Sequence, residues 1–334
     1  MQLALAEARR GIGRTFPNPA VGAVIIKRNR VLASGWHRAA GGPHAEIEAI
    51  RALPSRQDAR GATLYVTLEP CSTVGRTPPC TKALIEAGFR QVVYGARDPN
   101  PLHAGKADAI LRDAGIEVQS GVMADECSAI NPAWNKWIAT GMPFVVAKAG
   151  MSLDGRIAPL PGTRWITSSA SRADAMRLRA SCDAVLVGGE TVRADNPRLT
   201  IRGVPLLREH PWRVVWTRSG NIPPDCHLLS DRHHHRTRIY RGISLRRTLA
   251  DLGKLGVQRV LIEGGGRVLG EAFDRGLVDH VVFYTAPTLL GGPVPAVGGL
   301  GVGTNESAIR LVNPTYTHVG GDIRVEADVR PRAS

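Results

Sequence analysis

Short apolar runs recur along the chain, and the stretches between them carry helical periodicity. ATLYVTL (62–68) and QVVYGA (91–96) flank a helical segment at about Thr81–Ala87, and the helical pattern HAEIEAIRAL (44–53) comes before both. Strands alternating with helices can bury their apolar faces only as layers, which predicts an α/β fold. AVGAVIIKRNRVLASGW (20–36) sets two apolar runs around a polar KRN and predicts a β-hairpin. After NPAWNKWIATGMPF the alternation restarts with FVVAKAGMSLDGR, so a boundary is expected near Met142. One α/β domain is therefore expected over 1–142 and a second over 143–334. In the second, DAVLVGG, WRVVWT, RVLIEGG and HVVFYTAP predict strands, with helices at about 170–180, 244–255 and 267–275. A length of 334 residues suits two such domains.

Composition narrows the function classes. Hydrophobic residues make up 43% of the chain, as in ordinary globular proteins. No apolar run is long enough to cross a bilayer, and MQLALAEARRG at the start reads as an amphipathic helix, so a cytoplasmic protein with no membrane partner is expected. The 43 basic and 29 acidic residues give a net charge of +14, which attracts polyanions and phosphorylated small molecules alike. The basic residues are spread along the chain without interleaved aromatics, so a nucleic-acid platform is not indicated. His233–His235, within DRHHHRTR, offers a possible metal tract but reads as a solvated loop between strands.

Five cysteines (Cys71, Cys80, Cys127, Cys182 and Cys226) are an odd, scattered set, a poor disulfide framework. Cys71 and Cys80 stand out because each directly follows a proline, with eight residues between them, and because HAE upstream supplies His44 and Glu46. Zinc takes nitrogen and thiolate ligands in a tetrahedron, and a catalytic zinc keeps one position open for water. His44, Cys71 and Cys80 make the three protein ligands. Glu46, near the metal without ligating it, is then placed to carry a proton from water to a leaving amine. Two buried cysteines, a core histidine and a surface glutamate would be the bland alternative, but H-x-E with P-C is the signature of zinc deaminases.

The blocks PNPAVGAVI, GWH, GPHAE, TLEPCS, GRTPPC and DPNP, in that order from about residue 7 to 100, resemble the deaminase half of the bifunctional riboflavin-biosynthesis deaminase/reductase family. The resemblance implies a cytidine-deaminase-like zinc domain whose substrate, a phosphoribosylated pyrimidine, is held by Asn18, His37, Arg76, Asp98 and Asn100. One departure stands out. The family normally has a histidine after PCS, commonly followed by another histidine or a tyrosine, and this chain has Thr73 and Val74. Zinc binding is untouched by that change, whereas a weaker hold on the deaminase substrate is expected.

In the second half, LIEGGGRVLGEAF (261–273) reads as strand, glycine turn and helix, which brings backbone N–H groups against a phosphate. It is not a G-x-G-x-x-G fingerprint, because Leu269 stands at the last glycine position. With AKAGMSLDGR, RWITS and LVGGETVRADNPRLTIR it resembles the reductase half of the same family, whose fold is like dihydrofolate reductase. The resemblance implies that Thr163, Arg179, Leu199, Arg202 and Glu263 line a ribosyl-phosphate pocket. It also implies that Trp165, Thr191, Asp195, Thr217 and Gly264, Gly265 and Gly266 hold NADPH.

The expected activities are zinc-dependent deamination of 2,5-diamino-6-(5-phosphoribosylamino)pyrimidin-4-one and NADPH reduction of the ribosyl group of the deaminated product. A homo-oligomer is the expected state. Two alternatives stand beside this reading: a reductase with a weakened deaminase, motivated by Thr73 and Val74, and a basic deaminase acting on RNA, motivated by the charge.

Overall fold

The computed structural model describes residues 1–73, 78–101, 103–157, 165–206 and 208–330. They separate into two compact units, Met1–Thr140 and Gly141–Ser334. Arg76 and Thr163, both named above as substrate contacts, and Val74 lie outside the described residues.

The first unit begins with α1 (Gln2–Arg9), then β1 (Gly22–Lys27), β2 (Arg30–Trp36), α2 (Ala45–Arg51) and β3 (Thr63–Leu68). It continues with α3 (Cys80–Ala87), β4 (Gln91–Ala96), α4 (Lys106–Asp113), β5 (Glu117–Gln119), α5 (Ala124–Ser128) and α6 (Pro132–Thr140). The sheet order is β2-β1-β3-β4-β5, antiparallel at β2/β1 and β1/β3 and parallel from β3 to β5. The β1–β2 turn places Arg28 and Asn29 at φ of 50° and 61°, the left-handed pair that matches the twist of a two-residue hairpin. At Gly35 on β2, a Cβ would sit 2.3 Å from the Ala49 backbone nitrogen. Only glycine lets α2 lie so close to the sheet, and α2 carries His44 at its N-cap. Leu64, Val66, Val92, Leu84 and Leu111 are fully buried between sheet and helices.

The second unit runs β6 (Phe144–Ser152), α7 (Ser169–Ala180), β7 (Ala184–Gly188), α8 (Gly189–Asp195), β8 (Trp212–Thr217), α9 (His227–Ser230) and β9 (Thr237–Arg241). There follow α10 (Leu245–Lys254), β10 (Arg259–Ile262), α11 (Gly266–Asp274), β11 (His280–Ala286), β12 (Leu311–Val319) and β13 (Asp322–Val329). Its sheet has the order β12-β13-β11-β6-β10-β7-β8-β9, parallel from β11 to β9 with an antiparallel β12–β13 hairpin at one edge. The central strands are apolar because both faces are covered: Val145, Ala147, Leu186, Val260 and Ile262 are all fully buried. On α10, Leu245, Leu249 and Leu252 recur at i, i+4 and i+7 and form its buried stripe.

Both units are α/β, as the alternation implies, but the details differ at the edges. The tract read as a solvated loop holds one 3₁₀ turn, His234–Arg236, which leads directly into strand β9. Among the described residues the His233–His235 tract forms no metal cluster. The strand expected across DAVLVGG ends at Gly188, and Gly189 opens a helix carrying Thr191 and Asp195. Among the described residues no helix is long and apolar enough to cross a membrane.

Candidate active sites

In the first unit, the carboxyl ends of β3 and β4 and the start of α2 meet at a cavity of about 210 Å³. His44, Glu46, Cys71, Asn18, His37, Asp98 and Asn100 line it, together with Leu68, Glu69, His103 and Trp134. His44 is the N-cap of α2 and Glu46 lies in the first turn, only 3% exposed. The His44 Nδ1 atom lies 3.5 Å from Cys71 Sγ and 3.3 Å from Cys80 Sγ, and the three ligand atoms all fall within 4.8 Å of one another. Zinc bonds of about 2.0–2.1 Å to nitrogen and 2.3 Å to sulfur in a tetrahedron separate those atoms by about 3.6 Å, so the trio fits the ion. Cys80 opens α3, and its backbone N–H donates to Cys71 Sγ at 3.2 Å, a contact that favours thiolate.

Electrostatics agree with that fit. Hydrogen bonding from Cys80 and then His44 holds the Cys71 thiol down to about 4, and the bond to Cys71 pushes His44 up to about 9. The result is a thiolate facing an imidazolium, and a cation displaces that proton on binding. Burial pushes the Glu46 carboxyl above its usual range, against the attraction of His44, which is the tuning expected of a group that must both take and give a proton.

The cavity wall is pre-set by hydrogen bonds. Glu69 is buried and accepts backbone N–H groups from Asp98 at 3.2 Å, Gly105 at 3.0 Å and Ala107 at 3.2 Å, which holds the chain at those three positions. The Asn100 N–H donates to Asp98 Oδ1 at 2.8 Å. His37 Nδ1 lies 2.8 Å from the Pro43 carbonyl, which can only accept, so that nitrogen carries the proton. His37 Nε2 then accepts from Asn18 Nδ2 at 3.0 Å. Burial lowers the His37 pKa, in keeping with this neutral tautomer.

In the second unit, β7 and β10 are neighbours whose onward connections leave in opposite directions, to β8 and to β11. Such a switch point opens a crevice at the carboxyl ends of the strands, where ligands bind in open α/β sheets. Glu263 and Gly264–Gly266 follow β10 there, and Gly188 ends β7 just before Gly189 opens α8. A Cβ at Gly265 would lie 3.1 Å from Thr191 Oγ1, and one at Gly189 would lie 2.7 Å from Thr217 Oγ1. Both threonines thus border the same turns. Arg179 Nε and Nη2 donate to the Glu263 carboxylate at 2.7 and 2.5 Å, and Nη1 donates to the Thr200 carbonyl at 2.8 Å.

The comparisons with known proteins cover both units. Residues 143–323 match the family described as the RibD C-terminal domain, and residues 1–96 match the cytidine and deoxycytidylate deaminase zinc-binding region. Riboflavin biosynthesis protein RibD of Synechocystis sp. is 40% identical over 348 residues, spanning 96% of this chain and 93% of the relative. The solved RibD of Acinetobacter baumannii has a TM-score of 0.88 at 36% identity and covers 98% of this chain and 97% of its own. A solved diaminohydroxyphosphoribosylaminopyrimidine deaminase/5-amino-6-(5-phosphoribosylamino)uracil reductase from Thermotoga maritima has a TM-score of 0.84 at 33% identity, covering 99% and 97%.

The chain belongs to the RibD family.

It is accordingly a bifunctional deaminase/reductase of riboflavin biosynthesis, with zinc as the cofactor of the first activity and NADPH that of the second. Within this RibD chain, four of the five residues named for the deaminase substrate line one cavity with His44, Glu46 and Cys71. The reductase set is less uniform. Arg179 and Glu263 are paired with each other, Leu199 is buried at φ of 50°, and Trp165, Asp195 and Arg202 are exposed, with the Arg172 guanidinium over the Trp165 ring. Sequence reasoning passed over Glu69, His103 and Trp134 in the cavity and Lys148 beside Glu263. Glu69 is the glutamate of TLEPCS, and Lys148 is a lone cation inside the apolar run FVVAKAGMS, so both left a signal. Burial lowers the Lys148 pKa, with the charge of Glu263 opposing it.

Proposed function

We propose that the cavity of the first unit deaminates 2,5-diamino-6-(5-phosphoribosylamino)pyrimidin-4-one, and that the crevice of the second reduces the ribosyl group of 5-amino-6-(5-phosphoribosylamino)uracil to its ribityl form. The observation that carries the reading is the convergence of Asn18, His37, Asp98 and Asn100 on one cavity with the zinc-type trio and a buried glutamate. When bound by His44, Cys71 and Cys80, zinc supplies Lewis-acid activation of water. Glu46 moves the two protons of the attacking water, one to the ring nitrogen and the other to the departing amine, which leaves as ammonia while the ring carbon gains a carbonyl. Asn18, fixed by His37, and Asp98 with Asn100 orient the pyrimidine, and Arg76 serves its phosphate.

In the second unit NADPH supplies the hydride. Gly264–Gly266, Thr191 and Thr217 border the crevice for it, joined by Trp165 and Asp195. Three of the five N–H groups of Arg179 are used on Glu263 and Thr200, so its main task is to hold that carboxylate. Glu263 stays ionised: burial alone would raise its pKa, but the charge and hydrogen bonds of Arg179 bring it below the usual range. It is thus a ready acceptor for ribosyl hydroxyls. The exposed Arg202, with Thr163, is the phosphate contact. Leu199 lines the pocket wall.

The domain limits 1–142 and 143–334 belong to this proposal, as does a cytoplasmic site of action, supported by five free cysteines. A homo-oligomer is supported by β12, exposed along nearly its whole length with Tyr316 and Leu311 outward, and by Leu300, which is 97% exposed. Incubating the purified protein with the diaminopyrimidine, with and without NADPH, followed by mass spectrometry, tests the reading. The deaminated compound should accumulate without NADPH and the ribityl compound with it. Unchanged substrate in both reactions would refute it.

A further inference from the structure

The zinc loop of this chain has a threonine where the family pattern has a histidine, yet the cavity is not short of an imidazole. His103 lines it beside Asp98 and Asn100. Its ring presents its nitrogen-bearing edge to Thr73, with Oγ1 at 3.2 Å from Nδ1 and 3.5 Å from Nε2. The ring therefore reaches the place to which a side chain at position 73 extends. A histidine at 73, longer than threonine by most of a ring, would run into it.

The backbone on both sides of His103 is hydrogen-bonded. The His103 N–H donates to the Asn100 carbonyl at 2.9 Å, and Asp98, Gly105 and Ala107 are held by three backbone bonds to the buried Glu69. Thr73 can satisfy only one ring nitrogen at a time, which leaves the other with a donor or acceptor to offer.

We infer that His103 is a substrate-binding residue of the deaminase, contacting the phosphoribosyl part of the pyrimidine nucleotide from the 98–107 loop in place of the missing zinc-loop histidine. This inference rests on the reading of the cavity as the deaminase substrate site. It removes the motive for a weakened deaminase, because the ring donor has changed position without being lost. Adding a histidine at 73 to the native chain would place two rings in one space.

Steady-state deaminase kinetics on the zinc-loaded full chain test it. Substitution H103A should raise KM about fivefold to tenfold, the worth of one partly exposed hydrogen bond, with kcat within about twofold. H103Q keeps an N–H donor and should retain most of the affinity. T73H alone should raise KM, whereas T73H in the H103A background should lower it towards the native value. Zinc content and the reductase rate on supplied deaminated intermediate should not move in any of the four, which excludes misfolding as the cause. A KM unchanged in H103A, a fall in kcat alone, or a T73H/H103A protein no better than H103A would each overturn the inference. N18A is the control for the cavity itself: if it raises KM while H103A does not, only the role of His103 fails, and if neither does, the substrate reading of the cavity fails as well.

Discussion

Replacing Arg179 by methionine removes one half of the buried pair in the second unit. The guanidinium and the Glu263 carboxylate are 9% and 8% exposed and share two hydrogen bonds, so the variant leaves an ionised carboxylate in a site that water scarcely reaches. Breaking such a pair from one side costs about 3–5 kcal/mol. The carboxylate has an escape, which is to pick up a proton. At pH 7, protonating a group whose free pKa is about 4.3 costs about 3.7 kcal/mol, and at pH 5 only about 1 kcal/mol. These figures are ceilings on the charge penalty, and the neighbouring Lys148 lowers it further. For a unit of this size each kcal/mol moves the melting temperature by about 2–4 °C, so R179M should lower it by about 7–15 °C at pH 7 and by less than about 4 °C at pH 5. Scanning calorimetry of the full chain, following the transition of the second unit, reads both. Removing both charges in R179M/E263M should recover most of the stability at pH 7 while leaving the protein without reductase activity. A pH-independent shift, a shift under about 2 °C at pH 7, or a double variant no more stable than R179M would refute the reasoning.

Three further outcomes follow from other parts of the structure. Metal analysis should find one zinc per chain, and Cys80→Ala should lose it; stoichiometric zinc surviving in that variant would contradict the His44–Cys71–Cys80 assignment. Gly35→Ala places a Cβ 2.3 Å from the Ala49 nitrogen, so α2 must shift; a loss of about 2–3 kcal/mol in denaturant unfolding and a weaker hold on zinc should result, and an unchanged midpoint would contradict the packing. Because the folded pKa of Glu263 lies below its unfolded value, the stability it contributes is present above about pH 4.3 and is lost as pH falls through the folded pKa. Acid unfolding of E263Q, compared with that of the native chain, should accordingly show a shallower loss of stability in that window, and identical pH profiles would count against the pair.

How legible the protein was in its sequence depends on where burial is two-sided. WRVVWT and QVVYGA are strands over the residues expected, because both lie inside sheets where their valines are covered; Arg213 in WRVVWT is buried as well, paired with Asp231. TRIYR (β9) is an edge strand with only intermediate or exposed residues, and it is not among the strands expected. β12 is exposed and contains Pro314 at a register shift, which a sheet tolerates only at its edge. The same distinction runs through the sites. His44, Glu46, Cys71 and Cys80 announce themselves because zinc chemistry restricts the residue types. His103 does not, because its place in the cavity comes from how the chain around Asp98 and Asn100 is held. The pairing of Arg179 with Glu263 joins residues 84 positions apart, and no local pattern carries it.

The most direct test of two separate chemistries on one chain is Glu46→Gln, assayed for zinc, deamination and reduction on the same preparation. The amide cannot carry a proton from water to amine, so deamination should fall by several orders of magnitude. Zinc should remain at one per chain, and reduction of supplied deaminated intermediate by NADPH should continue at the native rate. Deamination that survives the substitution, or a reductase rate that falls with it, would contradict the account.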